Sequence, residues 1–257
     1  MVYTIHLPRR SPCRPGRAPF AALAAALSLA VPAFPQDAAK QKSDDPSSAF
    51  FKKGEIPRLK IEIAAEDVEM LRASPRQYVP CRIRENDKIV HEGVSVKLKG
   101  SAGSFREFDD KPGLTLRMDR DDKEERFHGL AKFHLNNAVQ DDTYLREYLG
   151  SELFRAAGVA TPRLTHARVW LNDRDVGFYV LKEGFDKHLV KRSFENAGGN
   201  LYDGGFCQDL EADLVKECGK GPDDHSDLKA LREACAEPDL AKRWARIVEL
   251  VDVKAFI

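Results

Sequence analysis

The sequence of 257 residues lacks the short motifs that identify the commonest enzyme classes. It contains no GxGxxG, GxxxxGKS/T, HExxH or GxSxG pattern, so the dinucleotide, P-loop, zinc-protease and serine-hydrolase signatures are absent. Cysteine is scarce, at five residues, and no CxxC pair marks a zinc site, so the residues themselves predict no metal site. No apolar run reaches the roughly 20 residues that a membrane-spanning helix needs.

The N-terminal 33 residues have the features of a secretory signal. Four arginines precede a run of small and apolar residues over 18–33, and Val31 and Ala33 fit the small-residue pattern before a cleavage site. We therefore predict a mature protein that is secreted, periplasmic or at the cell surface, without an integral membrane segment. The whole chain has 41 basic and 41 acidic residues, and removing the signal leaves 37 against 41. A mildly acidic protein lacks the basic surface that nucleic acid requires, so nucleic acid is excluded as a partner.

The remaining chain divides into a polar segment and one patterned domain. Residues 34–55 are polar and aperiodic, which predicts a disordered tether, and residues 56–257 form the domain. Alternation of polar and apolar residues predicts strands over 58–63, 78–85, 91–98, 113–118, 165–171 and 177–181. Asn-Asp pairs at 86–87 and 172–173 predict hairpin turns. The predicted fold class is α+β, with a twisted antiparallel sheet and a packed helix.

The clearest helix follows Asp142, the predicted N-cap, and stops at Gly158. Its apolar residues fall on one face at helical spacing, and we expect this face to pack on the sheet. They are Leu145, Tyr148, Leu149, Leu153 and Ala156. A second helical region begins at Ser226 and carries no stop signal. This predicts a helical part that continues beyond Ile257.

Five segments resemble a known family in their order along the chain. They are VKLKGSAGS, KPGLTLRMD, KFHLNNAVQDDTYLREYLGSELFRAAGV, GFYVLKEGFD and GNLYDG, and they lie between Val94 and Gly204. Together they resemble the CotH family, the spore-coat proteins that are atypical secreted kinases. The resemblance implies a kinase-like fold that binds ATP with Mg²⁺ or Mn²⁺ and transfers phosphate to Ser or Thr of a protein.

The same resemblance implies that the catalytic part is missing. The family's metal-binding and catalytic aspartates follow a helix that would begin near Asp252, which places them beyond Ile257. The chain is therefore expected to be the N-terminal part of the kinase-like domain and to be catalytically incomplete. The alternative is a non-catalytic module of an extracellular coat or cell surface that keeps the same fold.

Candidate phosphate-binding residues surround a glycine-serine loop between two strands. In the loop that contains Ser101 and Gly103, free backbone amides and the missing Cβ atoms of the glycines would let a phosphate approach the chain. Lys99 and Arg117 lie on the flanking strands and would supply positive charge. Many family members have lysines where this chain has Thr115 and Arg117. The alternatives are an ordinary loop and a solvated strand face.

A second group of candidates surrounds the start of the central helix. Asn136 and Asn137 end a strand, where they could orient a ribose or phosphate or could bond the following turn. Arg146 and Glu147 are adjacent on the helix and point about 100° apart. Glu147 is expected to pair with a strand cation such as Arg117, as in kinases. For Arg146, a nucleotide contact and a surface position remain equal alternatives.

Two further candidates would contact the base of the nucleotide. Glu183 ends an apolar strand in a segment that resembles the hinge between kinase lobes, where the backbone would meet the adenine edge. An ordinary strand end is the alternative. Tyr202 could form an aromatic wall for the base or could be a core residue.

Four cysteines remain after removal of the signal, and an even number in an oxidising compartment suggests disulfides. We predict a bond between Cys207 and Cys218, because a short segment bounded by glycines separates them. Buried free thiols are the alternative.

Overall fold

Most of the strands form where the side chains alternate between polar and apolar. The structure is a computed structural model that describes residues 45–119, 124–205 and 207–253, so the predicted signal lies outside it. The strands are β1 Arg58–Glu62, β2 Val79–Glu85, β3 Ile89–Lys99, β4 Gly113–Arg117, β5 Lys132–Asn136, β6 Leu164–Leu171, β7 Arg174–Glu183, β8 Leu201–Asp203 and β9 Val215–Cys218. The helices are α1 Ser48–Lys53, α2 Ala65–Ala73, α3 Arg146–Ala156, α4 Lys187–Ser193, α5 Ser226–Ala236 and α6 Leu240–Leu250.

Seven of the strands close a barrel in the order β1-β2-β3-β4-β5-β7-β6. The α+β class is confirmed, but the predicted antiparallel sheet is corrected, because β1 and β6 pair in parallel and close the sheet on itself. Alternation along a strand identifies its buried face but does not identify its neighbours. The buried faces fill the barrel with fully buried side chains such as Leu59, Ile61, Val96, Leu116 and Phe133.

Both predicted hairpins are confirmed. Asn86 and Asp87 have φ values of 50° and 62° in the turn between β2 and β3. Asn172 has a φ of 52° in the turn between β6 and β7. Asn and Asp adopt this left-handed conformation more readily than other non-glycine residues. Asn172 also fixes its turn to the barrel, because its Oδ1 accepts a hydrogen bond of 2.8 Å from the Ile63 amide.

The predicted tether is wrong for residues 45–55, while residues 34–44 lie outside the described part. Helix α1 is anchored on the barrel by Phe50, whose ring stacks on His128 with centroids 4.5 Å apart. Asp45 lies 2.7 Å from the guanidinium of Arg163. A single buried aromatic residue and one ion pair leave no periodic signal, which is why the sequence did not predict this order.

Helix α3 is confirmed, but two of its predicted details are wrong. The N-cap residue is Leu145 instead of Asp142, and its side chain makes no cap hydrogen bond. The Arg146 amide at the start of the helix donates to Asp141 Oδ2 at 2.8 Å. The predicted apolar face does not pack on the sheet, and Leu149 and Leu153 are 60% and 71% exposed. The helix instead contacts the rest of the protein through polar residues. The Ser151 hydroxyl donates to the Pro162 carbonyl at 2.7 Å, and the Glu147 carboxylate lies 3.0 Å from Lys182 Nζ.

The predicted C-terminal helical region is confirmed as α5 and α6. Helix α6 is capped by Asp239, whose carboxylate accepts from the Lys242 amide at 2.9 Å. Its apolar residues Leu240 and Trp244 are 75% and 56% exposed. Among the helices in the described residues, none combines the length and the apolar character needed to cross a membrane.

Candidate functional site

The outer face of the barrel carries rows of polar side chains across β3, β4, β5 and β7. Lys97 lies opposite Thr115, Thr115 opposite His134, and His134 opposite Lys182. Residues opposite each other on neighbouring strands share a face. The strand register therefore gathers basic and polar side chains that are up to 85 residues apart in sequence onto one surface.

This surface lines a cavity of 810 Å³ whose other side includes the β8–β9 hairpin. Eight of its lining residues are basic: Arg76, Lys97, Lys99, Arg117, Lys132, Lys182, Lys187 and Lys216. Four are acidic: Asp119, Asp186, Asp203 and Glu217. The excess of positive charge in a concave site favours a polyanionic ligand.

Four side chains form a connected network at one edge of the cavity. Lys99 Nζ donates to Asn136 Oδ1 at 2.6 Å. Asn136 Nδ2 lies 2.8 and 2.6 Å from the two carboxylate oxygens of Glu147. Lys182 Nζ is 3.0 Å from Glu147 Oε1. One helical carboxylate therefore positions two lysines, one directly and one through an amide.

Gly113 makes the contact between Lys99 and Asn136 possible. It lies opposite Lys99 on β4, between the two strands that carry these residues. A Cβ at position 113 would lie 3.1 Å from the Lys99 carbonyl oxygen and 3.2 Å from its Cγ. Because glycine has no side chain, the lysine can cross β4 and reach β5.

Burial and mutual repulsion alter the protonation of two groups in the cavity. Burial, and then the charge of Lys182, lower the pKa of Lys99 to about 8. Burial, and then the surrounding lysines, lower the pKa of His134 well below its ordinary value. The Thr115 hydroxyl lies 3.0 Å from His134 Nδ1. The cavity thus holds a neutral imidazole among cations.

The glycine-serine loop borders a second cavity of 350 Å³, which shares Lys99 and Lys182 with the first. Ser101 and Gly103 are exposed in this loop. Asn137 is buried and donates to the Ser104 and Lys111 carbonyls at 2.9 and 2.8 Å. Asn137 therefore holds the loop against the barrel, whereas the structural alternative considered for it was a bond to the turn that follows it.

The predicted pairing of Glu147 with Arg117 is wrong. Arg117 lines the cavity, but its guanidinium lies 3.4 Å from Asp119 and 5.9 Å from the Tyr78 ring centroid. The strand cation that pairs with Glu147 is Lys182. The sequence does not show which of these cations pairs with Glu147, because strand register determines which one faces the start of α3.

Arg146 and Tyr202 point to partners outside the network. Arg146 donates to the Gln140 carbonyl at 3.1 Å and is exposed. The Tyr202 hydroxyl lies 2.8 Å from an Asp227 oxygen on α5. Arg146 therefore occupies a surface position, which was one of its two alternatives. The Tyr202 hydroxyl connects β8 to α5.

Glu183 forms a buried ion cluster instead of an open hinge. Its carboxylate accepts from Arg163 at 2.7 Å and from Arg192 at 2.8 Å, and the residue is 1% exposed. Its amide donates to the Arg163 carbonyl at 2.9 Å, and the Gly184 amide donates to the Lys132 carbonyl at 3.0 Å. Both amides are thus occupied by strand contacts, and a base could not use them without displacing a partner.

Lys97, Lys132, His134 and Lys182 are site residues that the sequence analysis did not select. Alternation places Lys132 and His134 on the same face as Asn136, so this part of the signal was present. The missing information was the register between strands.

In the described part of the chain the cysteines are free thiols at positions 81, 207, 218 and 235, so the Cys207–Cys218 bond stays a prediction.

Comparison with protein families gives a match that spans the whole network. The family model described as CotH kinase protein matches residues 96–257, which include Lys99, Asn136, Glu147 and Lys182. Comparison with curated proteins gives no match. The match covers more than half of the chain and agrees with the five segments that resemble this family. The chain therefore belongs to the CotH kinase protein family.

Proposed function

We propose that the protein is an exported kinase-like protein that binds ATP in the cationic cavity, and that its full-length parent transfers phosphate to Ser or Thr of a protein. The observation that carries the proposal is the Lys99–Asn136–Glu147–Lys182 network at the edge of an 810 Å³ cavity. Membership in the CotH family supports its kinase-like character.

The network suits a polyphosphate because it places lysines without neutralising them fully. Lys99 and Lys182 carry two positive charges against the single carboxylate of Glu147. Hydrogen bonds between an ammonium group and a phosphate oxygen are charge-assisted and stronger than neutral ones. Because the lysines are already positioned, a phosphate loses less affinity to the ordering of flexible side chains.

In the proposed reaction, the bond between the γ-phosphorus and the oxygen that joins it to ADP breaks. A bond forms between that phosphorus and the acceptor hydroxyl oxygen, and the hydroxyl proton passes to solvent. Mg²⁺ or Mn²⁺ would supply neutralisation of the phosphate charge. In residues 45–119, 124–205 and 207–253, no group of three or more His, Cys, Asp or Glu side chains could hold a metal. None of these residues is therefore assigned to the metal.

Titration of the full chain with a fluorescent ATP analogue tests the binding step. We expect Lys99→Met and Lys182→Met each to weaken binding roughly tenfold to hundredfold, because each removes a charge-assisted contact. Lys88→Met is the matched control, since Lys88 is an exposed lysine in the β2–β3 turn. Wild-type affinity in both cavity variants, or no binding of ATP to the wild-type protein, would contradict the proposal.

Three further measurements separate the parts of the proposal. Incubation of the full-length parent with γ-labelled ATP and a Ser/Thr-rich acceptor protein tests transfer, and ATP binding by that parent without transfer would favour the non-catalytic module. N-terminal sequencing of protein from an exporting host tests processing, and an N-terminus near Phe34 is expected. Peptide mapping under oxidising conditions tests the Cys207–Cys218 bond, and recovery of both as free thiols would reject it.

A further inference from the structure

We propose that His134 is a ligand-binding residue of the cationic cavity and that it takes up a proton when a polyphosphate binds there. This inference rests on the proposed function, because it requires that the cavity receive the phosphates of a nucleotide. It adds a residue to the site and a link between ligand binding and pH.

The position of His134 follows from its strand register. It lies at the centre of β5, between Thr115 on β4 and Lys182 on β7, and it lines the cavity. The Thr115 hydroxyl holds Nδ1 at 3.0 Å. Nε2 is therefore the ring nitrogen that can meet a ligand.

Charged groups from several elements surround this imidazole. Lysines act on it from β3, from its own strand and from β7: Lys97, Lys99, Lys132 and Lys182. The same cavity is lined by Arg117 from β4, Lys216 and Glu217 from β9, Asp186 and Lys187 at the start of α4, and Asp203 from β8. Glu147 of α3 reaches the site through its contact with Lys182. The positive charges that act directly on His134 outnumber the negative ones.

A bound polyphosphate reverses the electrostatic situation of the imidazole. Without a ligand, a protonated His134 would add a further positive charge beside four lysines, which disfavours protonation. The negative oxygens of a polyphosphate offset those lysines and offer acceptors to an Nε2–H group. The Thr115 hydroxyl can accept from Nδ1–H as readily as it can donate to a neutral Nδ1. The proton comes from the buffer and returns to it when the ligand leaves, so no covalent bond between heavy atoms changes.

This coupling predicts tighter polyphosphate binding as the pH falls below 7. Thermodynamic linkage requires that a ligand which raises proton affinity binds more strongly to the protonated protein. Lys99 acts in a more alkaline pH range. Its pKa is about 8, so its ammonium group loses its charge, and binding weakens, as the solution becomes more alkaline. The two groups can therefore be separated by pH.

NMR titration of the histidine Cε1–H signals in the full chain tests the proposal directly. The spectra are recorded across the acid and neutral range with and without saturating inorganic tripolyphosphate, and then with ATP. The His134 signal is assigned by its loss in His134→Gln. We expect His134 to titrate at a clearly higher pH with either ligand than without a ligand. His166, which bonds the Tyr144 carbonyl at 2.9 Å, is an internal reference that should not shift.

Calorimetry on the same samples distinguishes the possible failures. Absence of tripolyphosphate and ATP binding would overturn both the proposed function and this inference. Binding with an unchanged His134 titration would overturn the inference alone. We expect Thr115→Val, which removes the hydroxyl and keeps the shape, to lose roughly threefold or more of the gain in binding between pH 8 and pH 6. An unchanged gain in this variant would contradict the assigned role of Thr115.

Discussion

Gly113 shows how one missing side chain connects two strands of the site. Its position between Lys99 and Asn136 gives the lysine a path across β4. The sequence alone places Gly113 at the start of a strand. A glycine there needs no further explanation than that the alternating pattern begins at this point. Its contact distances show that a side chain at this position would crowd Lys99.

Replacement of Gly113 by alanine should therefore impair ligand binding more than folding. The added Cβ would lie 3.2 Å from Lys99 Cγ, so the lysine side chain has to move away from Asn136. We expect roughly fivefold weaker ATP binding, which corresponds to about one hydrogen bond. Gly199→Ala is the control, because a Cβ there meets nothing within 4 Å. Equal affinities for both variants would show that the path of Lys99 does not depend on Gly113.

At the scale of elements, a buried ion cluster connects α1, β6, β7 and α4. Arg163 precedes β6 and contacts Asp45 before α1 and Glu183 at the end of β7. Arg192 of α4 approaches the other oxygen of Glu183 at 2.8 Å. Because Glu183 is almost fully buried, these arginines compensate a carboxylate that would otherwise be strongly unfavourable in the interior.

Removal of one arginine from this cluster should destabilise the fold strongly. We expect Arg163→Met to lower the free energy of unfolding by about 3 kcal/mol, since it leaves a buried carboxylate with one cation fewer. The control is Arg168→Met on the same hairpin, whose ion pair with Asp175 is exposed. It should change the free energy by less than about 1 kcal/mol. Urea unfolding of the two variants measures both values, and similar losses would contradict this account.

At the scale of the whole molecule, a second cluster makes stability depend on pH. It consists of Glu85, His91, Glu125 and His128, and the His128 ring stacks on Phe50 of α1. Burial alone would raise the pKa of Glu85, but contacts with His128 and His91 outweigh it and lower the pKa to about 2. The carboxylates of Glu85 and Glu125 raise the pKa of His91. Nε2 of His91 is 3.9 Å from Glu85, so this attraction is electrostatic and not a hydrogen bond.

The directions of these two pKa shifts define the pH range in which the cluster stabilises the fold most. A lowered carboxyl pKa stabilises the fold above pH 4.5, and this contribution is lost as the pH falls toward about 2. A raised histidine pKa stabilises it below pH 6.5, and this contribution is lost as the pH rises through the folded value. We expect Glu85→Gln to lose most stability near pH 5.5, by about 2 kcal/mol, and less at pH 8 or pH 2.5. Thermal unfolding at the three pH values tests this, and a loss independent of pH would contradict it.

Much of the local structure was determined by the sequence itself. Alternation predicted β1 to β4, β6 and β7, and the Asn-Asp pairs predicted both barrel hairpins. Lys99, Asn136 and Glu147 were selected as site residues, and the structure brings them together. These features depend on neighbours within a few residues, so they can be read along the chain.

Only the tertiary structure decided three features. They are the closure of the barrel, the order of residues 45–55 and the ion-pair partner of Glu147. The closure and the partner of Glu147 depend on which strand lies beside which, and a shift of one residue in register would turn Lys182 and His134 to the other face. The order of residues 45–55 depends on contacts of Phe50 and Asp45 with residues far along the chain. The same holds for Glu183, whose place at a strand end resembled an open hinge but whose arginine partners come from 9 and 20 residues away. The sequence determined which residues carry charge and which face of each strand they occupy. The register of the closed barrel determined which of those charges meet.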